Sequence, residues 1–176
     1  MSASRSDQRE AVSGKGSGMH RPLLLLPVVL VVLAGCVTYT PPAPSPFAPA
    51  ASDAQGKQFT PPQGKGYLYI SRPDEFRLLG KATPYGITVD GKDAGGIMPG
   101  MYFCFALDPG HHTFSVSCQD SADSAGIQLQ AGKSWYYQIS TDEKDNRVKV
   151  SLGWVILEPM GKMMINNTKR GQAAFE

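Results

Sequence analysis

From Lys65 onward, apolar and polar residues alternate in short runs separated by Gly, Pro, Asp and Asn. A period of two belongs to β-strands, whose successive side chains point to opposite faces. Gly66–Arg72 places Leu68 and Ile70 on one face and Tyr67 and Tyr69 on the other. Residues 85–90 continue the style and end in Asp90-Gly91, a pair suited to a two-residue hairpin turn. Met101–Leu107 sets Met101, Phe103, Phe105 and Leu107 against Tyr102, Cys104 and Ala106, and 112–118 sets Phe114, Val116 and Cys118 against Thr113, Ser115 and Ser117. Asp108-Pro109-Gly110-His111 between them has turn chemistry. The two runs therefore predict a hairpin in which Phe105 faces Phe114 and Phe103 faces Val116, with both apolar sets on one side. Ile127, Leu129 and Ala131 alternate with Gln128 and Gln130; Trp135, Tyr137 and Ile139 alternate with Tyr136 and Gln138; 142–146 is an acidic loop; and 148–156 is the last long run. Residues 159–170, with Met160, Met163 and Met164, predict a short amphipathic helix. The expected fold is all-β, an antiparallel β-sandwich of about seven strands.

The residues before Lys65 follow other rules. Arg21 leads into an apolar run from Pro22 to Gly35, and Cys36 follows. A cationic start, a short apolar core and small residues before a processing point are the parts of a secretory signal. The run is shorter than the ~20 residues a membrane-crossing helix needs, and Pro22 and Pro27 weaken it further. Leu33-Ala34-Gly35-Cys36 resembles the lipobox of bacterial lipoproteins, which implies cleavage before Cys36 and lipidation there, including palmitate. Several acyl chains together give stable anchoring where one is marginal. The polar stretch before Met19 does not look like a signal n-region, which suggests Met19 as the true start. By analogy with such lipoproteins, Val37 implies sorting to the outer membrane. Residues 37–64, rich in Pro, Ala and Ser, predict an extended tether holding the domain off the bilayer. The expected organisation is thus a signal peptide at 1–35, lipidated Cys36 and a tether at 36–64, a β domain at 65–158, and a short helix and tail at 159–176.

Gly66-Tyr67-Leu68-Tyr69-Ile70-Ser71-Arg72-Pro73, Val89-Asp90-Gly91-Lys92, Tyr102-Phe103, Pro109-Gly110-His111-His112-Thr113 and Ala131-Gly132-Lys133-Ser134-Trp135-Tyr136 stand in that order, with Val155 and Gly161 after them. The ordered set resembles the bacterial lipoprotein family of the domain of unknown function 2846, over roughly 62–170. The Val-Asp-Gly and Pro-Gly-His elements are more weakly similar to small PEGA β domains. The resemblance implies location and fold and supplies no catalytic residues.

Charge adds little. The chain carries a formal +2, and residues 36–176 hold 13 basic and 13 acidic side chains, so the excess sits in the leader. No nucleic-acid surface is expected. Cys104 and Cys118 belong to an oxidising compartment, yet the alternation places them on opposite faces, and a bridge needs Cα atoms within about 7 Å. They are expected as two thiols, with a disulfide only if the register differs. His111 and His112 are neighbours on a strand and point apart, which suits turn-exit residues better than a zinc site. The cluster at 142–146 lacks the calcium-loop spacing. Asp74 and Glu75 are a paired-carboxylate candidate for glycoside hydrolysis, with nothing else in support. The remaining feature is the face of Tyr67, Tyr69, Tyr102 and Tyr136. Exposed, it is a candidate binding face for sugars or a protein; the alternative is that the rings stabilise the sheet or meet a second layer. The expectation is a non-enzymatic binding or assembly module on the periplasmic face of the outer membrane. It needs no cofactor or metal beyond the lipid and binds an unidentified envelope protein; the alternative is a peptidoglycan, glycan or small-ligand binder.

Overall fold

The computed structural model describes residues 39–74, 83–119, 121–144 and 147–175. The lipobox Leu33-Ala34-Gly35, Cys36, the signal peptide and Glu75 lie outside the described residues. In chain order the elements are α1 (Ala50–Gly56), β1 (Gly66–Arg72), β2 (Tyr85–Val89), β3 (Lys92–Ile97), β4 (Met101–Leu107), β5 (Gly110–Cys118), β6 (Ser121–Leu129), β7 (Ser134–Lys144), β8 (Arg147–Trp154), α2 (Glu158–Asn166) and β9 (Lys169–Arg170).

The strands form two sheets, one in the order β8-β7-β1-β4-β9 and one in the order β3-β2-β5-β6. Leu68, Ile70, Phe103 and Phe105 from the first and Ile87, Phe114 and Val116 from the second share one buried core. The alternation thus placed its apolar residues correctly. It did not identify their partners. β4 and β5 are not a hairpin: Phe105 pairs with Leu68 of β1, and Phe114 with Val89 and Ala125 of the other sheet. Two strands that face each other across a sandwich show the same period-two pattern as two strands side by side. Asp108-Pro109-Gly110 carries the chain from one sheet to the other.

The sandwich is also not wholly antiparallel, since β1 pairs with β7 and β4 with β9 in parallel. The excursion through β5 and β6 returns the chain to the end where β1 began, so β7 runs alongside β1. Asp90-Gly91 is the expected tight hairpin, both residues having positive φ (49° and 75°), as a type I′ turn requires. The acidic stretch is shorter as a loop than expected, because β7 continues to Lys144.

Both seams between the sheets are closed. The amides of Val150 and Leu152 on edge strand β8 donate to Ser121 Oγ (3.0 Å) and Asp123 Oδ2 (2.8 Å) of β6. Such caps blunt an edge that would otherwise offer a template for pairing. At the other seam Ser45 N donates to Gly96 O (2.8 Å), Ala48 N to Arg170 O (2.9 Å) and Gln172 N to Pro46 O (2.8 Å). The segment expected as a tether therefore works from about Pro44 as a strap: it stitches the sheets, forms α1 and crosses the outer face of the five-stranded sheet. The strap enters at the end holding Gly86, Gly96 and Arg72, since Pro44 bridges Gly96. The opposite end holds Gly66, Leu107, Gly110 and Ser134.

Candidate functional site

The tyrosine face is a second core, which corrects its reading as an open surface. Tyr69 and Tyr102 are 0% exposed, Tyr136 is 2% and Tyr67 is 4%. α1 and α2 cover them, with Ile165, Met164 and Phe59 packed alongside. Tyr69 stacks on Tyr136 at 5.1 Å between centroids. Its hydroxyl donates to Gly56 O at 2.7 Å, and that of Tyr102 to Asp53 Oδ1 at 3.0 Å. Asp53 Oδ1 also accepts from Arg170 N, and Asp53 Oδ2 from Lys57 Nζ, both at 3.0 Å. Burial raises the Asp53 pKa, but the hydrogen bonds from Lys57, Tyr102 and Arg170 outweigh it and leave the carboxyl below its usual range. Burial also lifts the phenols of Tyr69 and Tyr102 far above theirs. Gly161 is where α2 comes closest: a Cβ there would overlap the Tyr136 ring.

The other sequence candidates disperse. Cys118 lies in the inter-sheet core and Cys104 in the tyrosine layer, both as buried thiols. Among the described residues no group of three or more His, Cys, Asp or Glu is arranged to hold a metal. Asp74 is described and its proposed partner Glu75 is not.

His112 is engaged at both ring nitrogens, Nδ1 with Asp90 Oδ2 at 2.6 Å and Nε2 with Asp108 O at 2.7 Å. Two acceptors suit the doubly protonated, cationic ring. Burial lowers its pKa, but the bonds to Asp90 and Asp108 and the charge of both acids raise it overall. Asp90 responds inversely: burial raises its pKa, and His112, the Thr113 amide and Lys92 bring it below the usual value. The raised His112 pKa gives stability that is full below its unfolded value and lost as pH rises through the folded value. The lowered Asp90 pKa gives stability that is present above its unfolded value and lost as pH falls. The staple should therefore contribute most between about pH 4 and 6.5. His112→Gln is expected to flatten the fall of Tm above that window in calorimetry; an unchanged slope would contradict the staple.

What sequence reading missed lies at the end away from the strap's entry. Trp135 of β7 and Trp154 of β8 stack at 5.1 Å with their planes at 29°. With Tyr136, Val155 and Ile156 they wall a cleft of about 260 Å³. Its polar lining is Gln130, Lys133 and Ser134 from the β6–β7 connection and Glu158 at the start of α2. Glu158 is bound by Lys162 at 2.8 Å, whereas Lys133 forms no ion pair among the described residues. Burial pushes the Tyr136 phenol up to about 12, with the side chain of nearby Ser134 pulling the other way, although its hydroxyl finds no partner in full hydrogen-bond geometry. Of the cleft's walls Trp154 and Ile156 are at least half exposed, and so are Leu157, Met160 and Met163 in the segment that follows; exposed large apolar side chains close in sequence mark candidate contact surfaces. The two tryptophans are the only ones in the chain, a signal present in the sequence, yet both were read there simply as apolar members of strands.

A family model described as protein of unknown function, DUF2846, matches residues 62–154. The chain belongs to this DUF2846 family. The matched span runs from the end of the strap to Trp154, so it includes β1 through β8 and both cleft tryptophans. The chain is also 29% identical over 109 residues to an uncharacterized protein of Haemophilus influenzae, an alignment covering 61% of this chain and 60% of that protein. This DUF2846 chain thus spans about three fifths of its relative's length.

Proposed function

We propose that this DUF2846 protein is a lipid-anchored module of the cell envelope that works by binding rather than catalysis. Cys36 carries the lipid, and the domain sits on the periplasmic face of the outer membrane. The observation that carries the reading is the Trp135–Trp154 cleft and its exposed apolar surround, at the end of the sandwich remote from the strap's entry. Between Cys36 and Pro44 stand only residues 37–43, a reach of at most about 25 Å. An anchor at Cys36 would therefore keep the domain close to the bilayer, with its cleft open to an envelope protein or the wall. The second reading, a glycan or small-ligand binder, is favoured by the mixture of indoles and polar groups that line the cleft. The near-zero balance of charges in 36–176 does not fit a nucleic acid as partner.

Cys36→Ala tests the anchoring. Metabolic labelling with an alkyne palmitate should mark the wild-type protein and not the variant, and the variant should leave the membrane fraction. Equal labelling, or membrane retention of the variant, would contradict the reading.

A further inference from the structure

We propose that the cleft lined by the stacked Trp135 and Trp154 is a glycan site, in which one pyranose ring stacks on the exposed indole of Trp154 and its hydroxyls meet Gln130, Lys133, Ser134 and Glu158. The inference rests on the binding-module reading and names the ligand class of that site.

The chemistry of the lining makes the choice. A pyranose has an apolar C–H face and an edge of hydroxyls, each able to donate and accept. The cleft opposes these with a matching pair. Trp154 is 51% exposed and backed by Trp135, so a ring can lie on an indole already held in place. The amide of Gln130 and the hydroxyl of Ser134 both donate and accept, the Lys133 ammonium donates, and the Glu158 carboxylate accepts. A cleft of about 260 Å³ suits a single ring better than a long chain segment.

The rivals fit less well. An apolar side chain of a protein partner, or a lipid acyl chain, would offer no hydrogen bond to Gln130, Lys133 or Ser134, and covering them without one costs free energy. Because Lys162 already neutralises Glu158, Lys133 is the net charge at the cleft and favours a sugar bearing an acidic substituent.

The test uses the full chain purified in detergent, titrated with chitotetraose, enzymatically solubilised peptidoglycan and lipopolysaccharide core oligosaccharide. Both tryptophans line the cleft, so intrinsic fluorescence reports occupancy directly. At least one probe should give a saturable change, with Kd raised about tenfold or more by Trp154→Ala and several-fold by Lys133→Glu. Preference for peptidoglycan over the core oligosaccharide would place the ligand in the wall, and the reverse in the outer leaflet; chitotetraose measures the neutral ring alone. No saturation by any probe, or an unchanged Kd in both variants, would overturn the proposal. Lys133→Glu alters an exposed side chain and keeps the test decisive if Trp154→Ala disturbs the fold. Lipid labelling of Cys36 does not enter this readout, so failure of the glycan site and failure of the anchored-module reading are separable.

Discussion

Tyr69→Ala is expected to destabilise the protein by about 3–5 kcal/mol, the range for removing a large aromatic ring from a packed core. Tyr69 is fully buried, stacks on Tyr136 and has Tyr67, Tyr102 and Phe59 as ring neighbours. A companion pair isolates the hydroxyls. Tyr69→Phe deletes the hydroxyl's bond to Gly56 O, a carbonyl that keeps its 3.3 Å bond from Phe59 N, and should cost about 0.5–1.5 kcal/mol. Tyr136→Phe removes a buried hydroxyl that completes no hydrogen bond and should be neutral or slightly stabilising. Denaturant unfolding of the three variants checks the order. Near-equal stability of Tyr69→Ala and wild type would mean that the tyrosine layer is open after all.

The second large effect concerns the strap. Replacing residues 44–59 by Gly and Ser at equal length should abolish cooperative thermal unfolding, whereas the same replacement at 37–41 should change Tm little. The strap supplies acceptors to Tyr69, Tyr102 and Arg170 and hydrogen bonds to both sheet edges. Each buried group left unsatisfied costs about 1–3 kcal/mol, and a small domain has only about 5–15 kcal/mol in all. Three such losses, with a bared tyrosine layer, are enough to unfold it. Equal tolerance of both replacements would restore the simple tether.

The second expectation reverses what composition suggested, and the first decides between two readings of the tyrosines that the sequence left open; the reasons are physical. Alternation reports which residues share a face, and there it was right. Leu68 and Ile70 separate from Tyr67 and Tyr69, and Cys104 separates from Cys118, into different layers. It does not report what covers a face. A tyrosine face under two helices reads the same as one in water, because its rings are amphipathic either way. The strap was missed because Pro, Ala and Ser bury little apolar surface themselves; its contribution is hydrogen bonding by its backbone and by the Asp53 carboxylate, the packing of Phe59, and the close approach of Gly56 to Tyr102. β3 was missed because Gly95 and Gly96 break the alternation, and β9 because two residues carry no period. The cleft was the least legible part. Its walls come from the end of β8, the start of β7 and the start of α2, and only the parallel pairing of β7 with β1 sets where they meet.

The central claim is that the end bearing the Trp135–Trp154 cleft is the working surface of a protein anchored at Cys36. In-cell photocrosslinking tests it most directly, with the reactive residue at Ile156 beside the cleft or at Ser124 on the four-stranded sheet. The account predicts efficient capture of an envelope component from position 156, little from 124, and loss of the 156 signal in the Cys36→Ala background. Equal capture from both positions, or capture at 156 that is indifferent to Cys36, would contradict it.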